Sequence, residues 1–178
     1  MTLPNLLGLS GSLRSQSYNR RLINAAAEAF GASTFVQAEL DLPLYNGDEE
    51  AASGVPAAVQ ALSDQIAAAD AVIISTPEYN KGPSGVLKNA LDWVSRTQGS
   101  PWNGKPVAVM SAAAGRAGGE RAQMILRSFM VPFRPVILQG PEIHLASSSE
   151  EFDENGQLKS ERYAAQVTDL MSQLRALI

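Results

Sequence analysis

The chain has no cysteine and a single histidine, His144, among its 178 residues. Disulfides, thiol nucleophiles and cysteine-ligated metals are thereby excluded, and a zinc site or a Ser-His-Asp triad has almost no material. Basic residues are few and scattered. Lys and Arg number 14 against 18 Asp and Glu, a net charge of -4, which excludes the basic surface of a nucleic-acid binder. No apolar run reaches the roughly 18 residues a membrane span needs, and MTLPNLLGLSGS has no positive stretch ahead of its apolar segment, as a signal sequence would. The expected compartment is the cytoplasm. The length suits one domain, residues 1–178, with a full-sized core. With so little side-chain chemistry of its own, such a chain is expected to work through a cofactor.

What is present is concentrated in loops. Between Leu6 and Ile23 the sequence LLGLSGSLRSQSYNRRLI gives an apolar run, a turn rich in small hydroxylated residues, then a helical pattern. A chain that leaves a buried strand through such a turn and enters a helix directs free backbone N–H groups at one point, where the helix dipole also favours negative charge. Neither GxxxxGK[ST] nor GxGxxG occurs. Hydroxyl donors with one arginine suit a terminal monophosphate, whose three oxygens need many donors, whereas a pyrophosphate needs bare glycine for close approach. The residues favour FMN over NAD. A serine-rich turn that caps its own helix and binds nothing has the same composition, so the rest of the chain must decide.

Strand and helix patterns alternate five times. Leu6–Leu9, Thr34–Val36, Ala71–Ile74, Val107–Met110 and Val136–Leu138 read as strands, the third and fourth as β-branched or apolar runs typical of strands buried on both faces. Helical spacing appears at Leu22–Phe30, from Pro56 to Ala69, at Leu87–Val94, at Ala122–Met130 and from Ser160 onward. Right-handed crossovers then wind a five-stranded parallel sheet, order 2-1-3-4-5, with helices on both faces. In that order, the switch point between the first and third strands brings three loops together: Ser10–Asn19, Ser75–Ser84 and Ser111–Gly119. The stretch Glu39–Pro56 reads as one long loop, which either rims a site, meets a partner subunit or is simply solvated.

The segments GSLRSQSYNRRL (11–22), PEYNKGPSGVLKNALDW (77–93) and KPVAVMSAAAGRAGGERAQMILR (105–127) resemble the NADPH-dependent FMN reductase family, in register over essentially the whole chain. The resemblance implies a flavodoxin-like three-layer α/β sandwich that binds FMN. It assigns Ser12, Arg14, Ser17 and Asn19 to the phosphate. Pro77, Glu78, Tyr79 and Asn80 would flank the ribityl chain and the ring edge, and Ala112, Ala113 and Gly115 the ring's other edge. Two departures stand out: Lys81, Gly82, Pro83 and Ser84 replace the family's three residues ending in Pro, and alanines replace a serine common in the third loop.

The implied activity is hydride transfer from NADPH or NADH to FMN and onward, by a ping-pong scheme, to a quinone, azo compound, metal oxyanion or flavin. Arg14 or Arg116 would meet a 2′-phosphate. No side chain is assigned as catalytic, since the flavin carries the chemistry. An FMN electron carrier without a nicotinamide site is the rival reading. A net charge of only -4 and an open third loop argue against it. The family further implies a homodimer or homotetramer, with the Leu87–Val94 helix near the interface. His144 is expected to be structural, Lys88 and Asp92 a helix-surface pair, and Trp93 and Trp102 core or interface residues.

Overall fold

The computed structural model describes residues 2–178. Its strands are β1 (Asn5–Ser10), β2 (Thr34–Ala38), β3 (Ala71–Thr76), β4 (Pro106–Ala112), β5 (Val136–Ile137) and β6 (Ile143–Leu145). Its helices are α1 (Tyr18–Phe30), α2 (Gly47–Ser53), α3 (Ala57–Ala68), α4 (Gly85–Val94), α5 (Glu120–Met130) and α6 (Glu161–Arg175), with a 3₁₀ turn at Val131–Phe133. The sheet is parallel throughout, in the order β2-β1-β3-β4-β5. This is the doubly wound order the sequence predicts.

The fifth position differs from the expectation of one strand at Val136–Leu138. It is shared: β5 pairs with the start of β4 (Pro106 with Val136, Val107 with Ile137) and β6 with its end (Met110 with Ile143, Ala112 with Leu145). β6 is three residues long and contains the lone histidine, so it carries no apolar run to betray it.

Side chains alternate across the sheet as the two-residue period of a strand requires. Leu6, Ile73, Ala108 and Met110 face α1 and α6, where they meet Leu22, Ile23, Ala26, Val167 and Leu170. Leu7, Leu9, Val72, Ile74, Val107 and Val109 face α3, α4 and α5, against Leu62, Ile66, Leu87, Leu91 and Leu126. Each fully buried aliphatic side chain contributes about 1.5–3 kcal/mol, which makes this two-sided burial the main stabilising term. Gly8 lets α1 come close: a Cβ there would lie 2.5 Å from Ile23 Cγ2. Trp93 and Trp102 are both buried.

The stretch Glu39–Pro56, expected as a loop, contains α2 and is anchored within its own chain. Pro43 O accepts from Asn89 Nδ2 (2.9 Å) and Trp93 Nε1 (2.7 Å), and the Tyr45 amide donates to Asn89 Oδ1 (2.9 Å). The Tyr45 ring sits edge-on to Trp93, with centroids 5.0 Å apart. Asn46 caps α2 through the Asp48 amide, and Asp48, Glu49 and Glu50 fill its first turn, where carboxylates favour the positive helix end.

Glu50 closes the anchor. It takes Arg96 Nε on both oxygens at 3.0 Å and the Tyr45 hydroxyl at 2.9 Å. The Arg96 guanidinium, helped by Tyr45, holds the Glu50 carboxyl below its usual range. A depressed carboxyl stabilises the fold above its unfolded pKa, and that stability is lost as pH falls through the folded value. Glu50→Gln is therefore expected to melt below the wild type at pH 7, with the gap closing below about pH 4. A gap independent of pH in calorimetric melts would show that the ion pair does not hold α2.

Candidate cofactor site

All three unusual loops leave the carboxyl ends of β1, β3 and β4, and they enclose a cleft of about 380 Å³. Ser12, Arg14, Ser17, Asn19, Pro77, Glu78, Tyr79, Ala112, Ala113 and Gly115 all line it. Asn80 does not. A larger cavity of about 590 Å³ opens between the carboxyl-terminal halves of α4 and α5, around Lys88, Trp102 and Phe129. Helices in this fold run opposite to the strands, so that cavity lies at the other end of the sheet, away from the free donors described next.

The first loop is held in shape by its own small groups. The Gly11 amide continues the sheet ladder to Ser75 O at 2.8 Å, and Ser10 Oγ braces the Ser12 peptide. Ser17 is the N-cap of α1, accepting from the Asn19 amide at 3.2 Å, and no acid lies in the first helical turn. A hydroxyl that accepts at a cap retains its own proton for an outside acceptor. Among the described residues, the amides of Leu13, Arg14, Ser15, Gln16 and Tyr18 find no acceptor within the chain. Donors in excess, a helix start and the nearby Arg14 give this end of the cleft a positive character.

Asn19 is placed differently from its neighbours. It is 4% exposed, and its carboxamide is committed inside the protein. Nδ2 donates to Ala112 O at 3.0 Å, while Oδ1 accepts from the Ala112 amide at 3.0 Å and from Ser75 Oγ at 2.7 Å.

In the second loop, Tyr79 and Gly82 exchange two backbone hydrogen bonds (2.9 and 3.1 Å) around Asn80 and Lys81, whose φ values are 51° and 70°. This left-handed pair makes a tight turn with Asn80 at its exposed apex. Asparagine accepts that conformation more readily than most residues, which accounts for it there. Glu78 points inward, and its Oε2 accepts from the Ala122 amide at 3.1 Å. It thus caps α5, whose own N-cap residue is Gly119 and offers no side chain. A carboxylate engaged at a helix start holds structure, here joining the second loop to α5.

In the third loop the peptides of Ala112 and Ala113 are also satisfied internally. Ala112 pairs with Asn19, and Ala113 donates to Leu145 O (3.0 Å) and accepts from the Ser148 amide (3.1 Å). The Ala114 and Gly115 amides have no acceptor among the described residues, and a Cβ on Gly115 would meet nothing within 4 Å. Gly118 is the opposite case. Its φ is 58°, and a Cβ would lie 2.3 Å from His144 O. Ser111 Oγ holds its carbonyl at 2.6 Å, and Gln123, fully buried, bonds both Ser111 Oγ and Ile143 O. The loop is pinned at its far end and open at Gly115. His144 serves this frame through its backbone, which also accepts from the Tyr163 hydroxyl.

Sequence reasoning missed Tyr18, Ala114, Ala117, Gly118, Gly119, Ser148 and Ser149, which also line the cleft. Ser148 and Ser149 follow β6 and could be located only once that strand was known. Arg116, one of two arginines proposed for a 2′-phosphate, lies outside the lining, whereas Arg14 is within it.

A sequence model of the NADPH-dependent FMN reductase family matches residues 4–150. The chain belongs to that family. It is 43% identical over 159 residues to an NAD(P)H-dependent FMN reductase of Pseudomonas aeruginosa, covering 88% of this chain and 85% of that protein. Against a quinone reductase of Escherichia coli the identity is 42% over 137 residues, covering 75% and 73% of the two chains. Among solved structures, the flavoenzyme NAD(P)H:(acceptor) oxidoreductase FerB of Paracoccus denitrificans superposes with a TM-score of 0.87 at 30% identity, over 98% of this chain and 97% of that one. The fold of this NADPH-dependent FMN reductase family member is flavodoxin-like, as its residues imply.

The two glycines of the third loop separate packing from cleft. Gly118→Ala is expected to lower the unfolding free energy in urea by about 1–3 kcal/mol, because the backbone of His144 cannot yield. Gly115→Ala in the ligand-free protein should stay within about 0.5 kcal/mol of wild type. Equal losses would mean that Gly115 is also packed.

Proposed function

We propose that this chain is an FMN-dependent NAD(P)H oxidoreductase acting on a quinone or another small organic acceptor, and that the whole chain works as one flavin-binding domain. The observation that carries the reading is the set of unpaired amides and the Ser17 hydroxyl at the start of α1, at the end of the sheet where this family binds its cofactor. FMN, when bound, supplies two-electron chemistry between a nicotinamide and an acceptor.

The residues present fit such a group. A phosphate at the first loop would receive the free amides between Leu13 and Tyr18, the hydroxyls of Ser12 and Ser17, and the charge of Arg14. The free amides of Glu78 and Asn80 on one side, and of Ala114 and Gly115 on the other, are fixed dipoles for the polar edges of a flat ring. Gly115 keeps the approach open. Glu78 is occupied at α5 and His144 in the frame, so the protein's part is orientation, and a nicotinamide held about 3–3.5 Å from its reacting partner gains most of the available acceleration that way.

The purified protein should be yellow, and NADPH should bleach it in a single stopped-flow mixing. An electron carrier would stay coloured. Ser17→Asp separates a phosphate site from an empty cap: aspartate caps a helix as well as serine, but it repels a phosphate and has no proton to donate. The variant should remain folded by circular dichroism and lose FMN affinity by roughly ten-fold or more, the cost of one charge-assisted hydrogen bond. Unchanged affinity would remove Ser17 from the phosphate site.

The reading extends to a homodimer or homotetramer. Tyr79, Met124 and Val131 are large apolar residues left exposed on the turn and α5 side, Leu44 is 84% exposed beside α4, and the cavity between α4 and α5 is lined by Phe129 and Phe133. Large apolar side chains left exposed in this number support an interaction face. Light scattering should return two or four times the 18.9 kDa chain mass; the single-chain mass at micromolar concentration would refute it.

A further inference from the structure

We propose that Asn19 is a positioning residue that ties the phosphate end of the flavin site to its ring end. The proposal rests on the FMN reading above. Both lone pairs of Oδ1 are taken, by the Ala112 amide and by Ser75 Oγ, and one Nδ2 proton is taken by Ala112 O, so three of its four hydrogen-bonding positions are spent on the frame and one N–H is left on the cleft side. The paired bonds to Ala112 reproduce a rung of sheet ladder with a side-chain amide in place of a neighbouring strand. They do so at the last residue of β4, where the backbone turns out into Ala113, Ala114 and Gly115.

Three otherwise separate pieces meet at this one carboxamide. Asn19 lies in the first turn of α1, two residues from the Ser17 cap. Ser75 lies near the end of β3, and its carbonyl holds the Gly11 amide at the opening of the first loop. Ala112 begins the third loop. A shift of the carboxamide therefore moves the phosphate donors and the ring-edge amides together. Only a carboxamide can do this, because Ala112 presents both a carbonyl and an amide and needs a donor and an acceptor 3.0 Å away. Aspartate would set an oxygen against the Ala112 carbonyl. Neighbouring α1 residues that face the sheet are Leu22, Ile23 and Ala26, so a polar group at this depth is the exception on its helix face.

Riboflavin, which lacks the phosphate, separates the two roles. The full chain is titrated with FMN and with riboflavin, in wild type and in Asn19→Leu, which keeps the shape without adding charge, Ser75→Ala and Ser17→Ala. A positioning residue weakens both flavins by the same factor: about ten-fold or more for Asn19→Leu, which removes a paired contact, and a few-fold for Ser75→Ala, which removes one bond. In both variants the shape and position of the bound flavin's visible band should also shift, because the ring-edge amides have moved. Ser17→Ala should weaken FMN alone and leave the band unchanged.

Loss of FMN affinity with riboflavin affinity intact in Asn19→Leu would make Asn19 a phosphate ligand and overturn the proposal. Loss of neither would overturn it too. If Asn19→Leu does not fold, Ser75→Ala decides alone, since the hydroxyl it removes bonds the carboxamide only: equal losses support the tie and unequal ones refute it. A wild-type chain that binds neither flavin overturns the cofactor reading, and the proposal with it.

Discussion

The architecture depends on one pairing, β1 beside β3. Leu6 through Ser10 run in register with Ala71 through Ser75, although β2 lies between them in the chain. Because β2 goes to the other side of β1, the helices that follow β1 and β3 cover opposite faces of the sheet, and the loops that precede them part like lips at the carboxyl edge. No side chain has to be placed to make that crevice. It exists because two parallel crossovers of the same hand leave one strand pair in opposite directions.

The crevice is then furnished mainly with backbone. Side chains that are usually read as chemistry, Glu78 and Asn19, turn out to fasten one element to another, and the groups left free are amides of Leu13–Gln16, Ala114 and Gly115. The division is physically sensible. Amides held by a ladder on one side keep their direction without reorganising, and fixed dipoles in a partly enclosed cleft act more strongly than mobile charges in water. A protein with no cysteine and one histidine can manage redox chemistry in this way, provided the reactive atoms come from elsewhere.

The three loops were legible because the strands they leave rest on runs of four mostly apolar residues, Leu6–Leu9, Ala71–Ile74 and Val107–Met110, and the sheet order because helices with a buried stripe alternate with them. What escaped was short or depended on distant partners. β6 has two buried residues flanking a histidine, and α2 has no buried residue, so neither leaves a period to read. The acidic run Asp48–Glu50, which says little as charge, is the first turn of α2 and with Asn46 ahead of it forms a readable helix start. The role of Glu78 was out of reach, since its partner, Ala122, stands 44 residues away. Gly118 likewise looks like slack in the sequence and is packed against His144 across the sheet edge.

The turn at Tyr79–Gly82 closes on itself through two hydrogen bonds of its own and takes none from the sheet. It is a removable part in the engineering sense. Asn80 and Lys81 can be exchanged for other residues that tolerate a left-handed backbone, and the change alters the mouth of the cleft beside the exposed Tyr79 without loosening a strand. Strand pairing and the shape of the cleft mouth are thus written in different stretches of chain. A lineage built on this scaffold can reshape the mouth of the cleft by substituting a handful of surface residues, while the sheet beneath it passes unaltered from one version to the next.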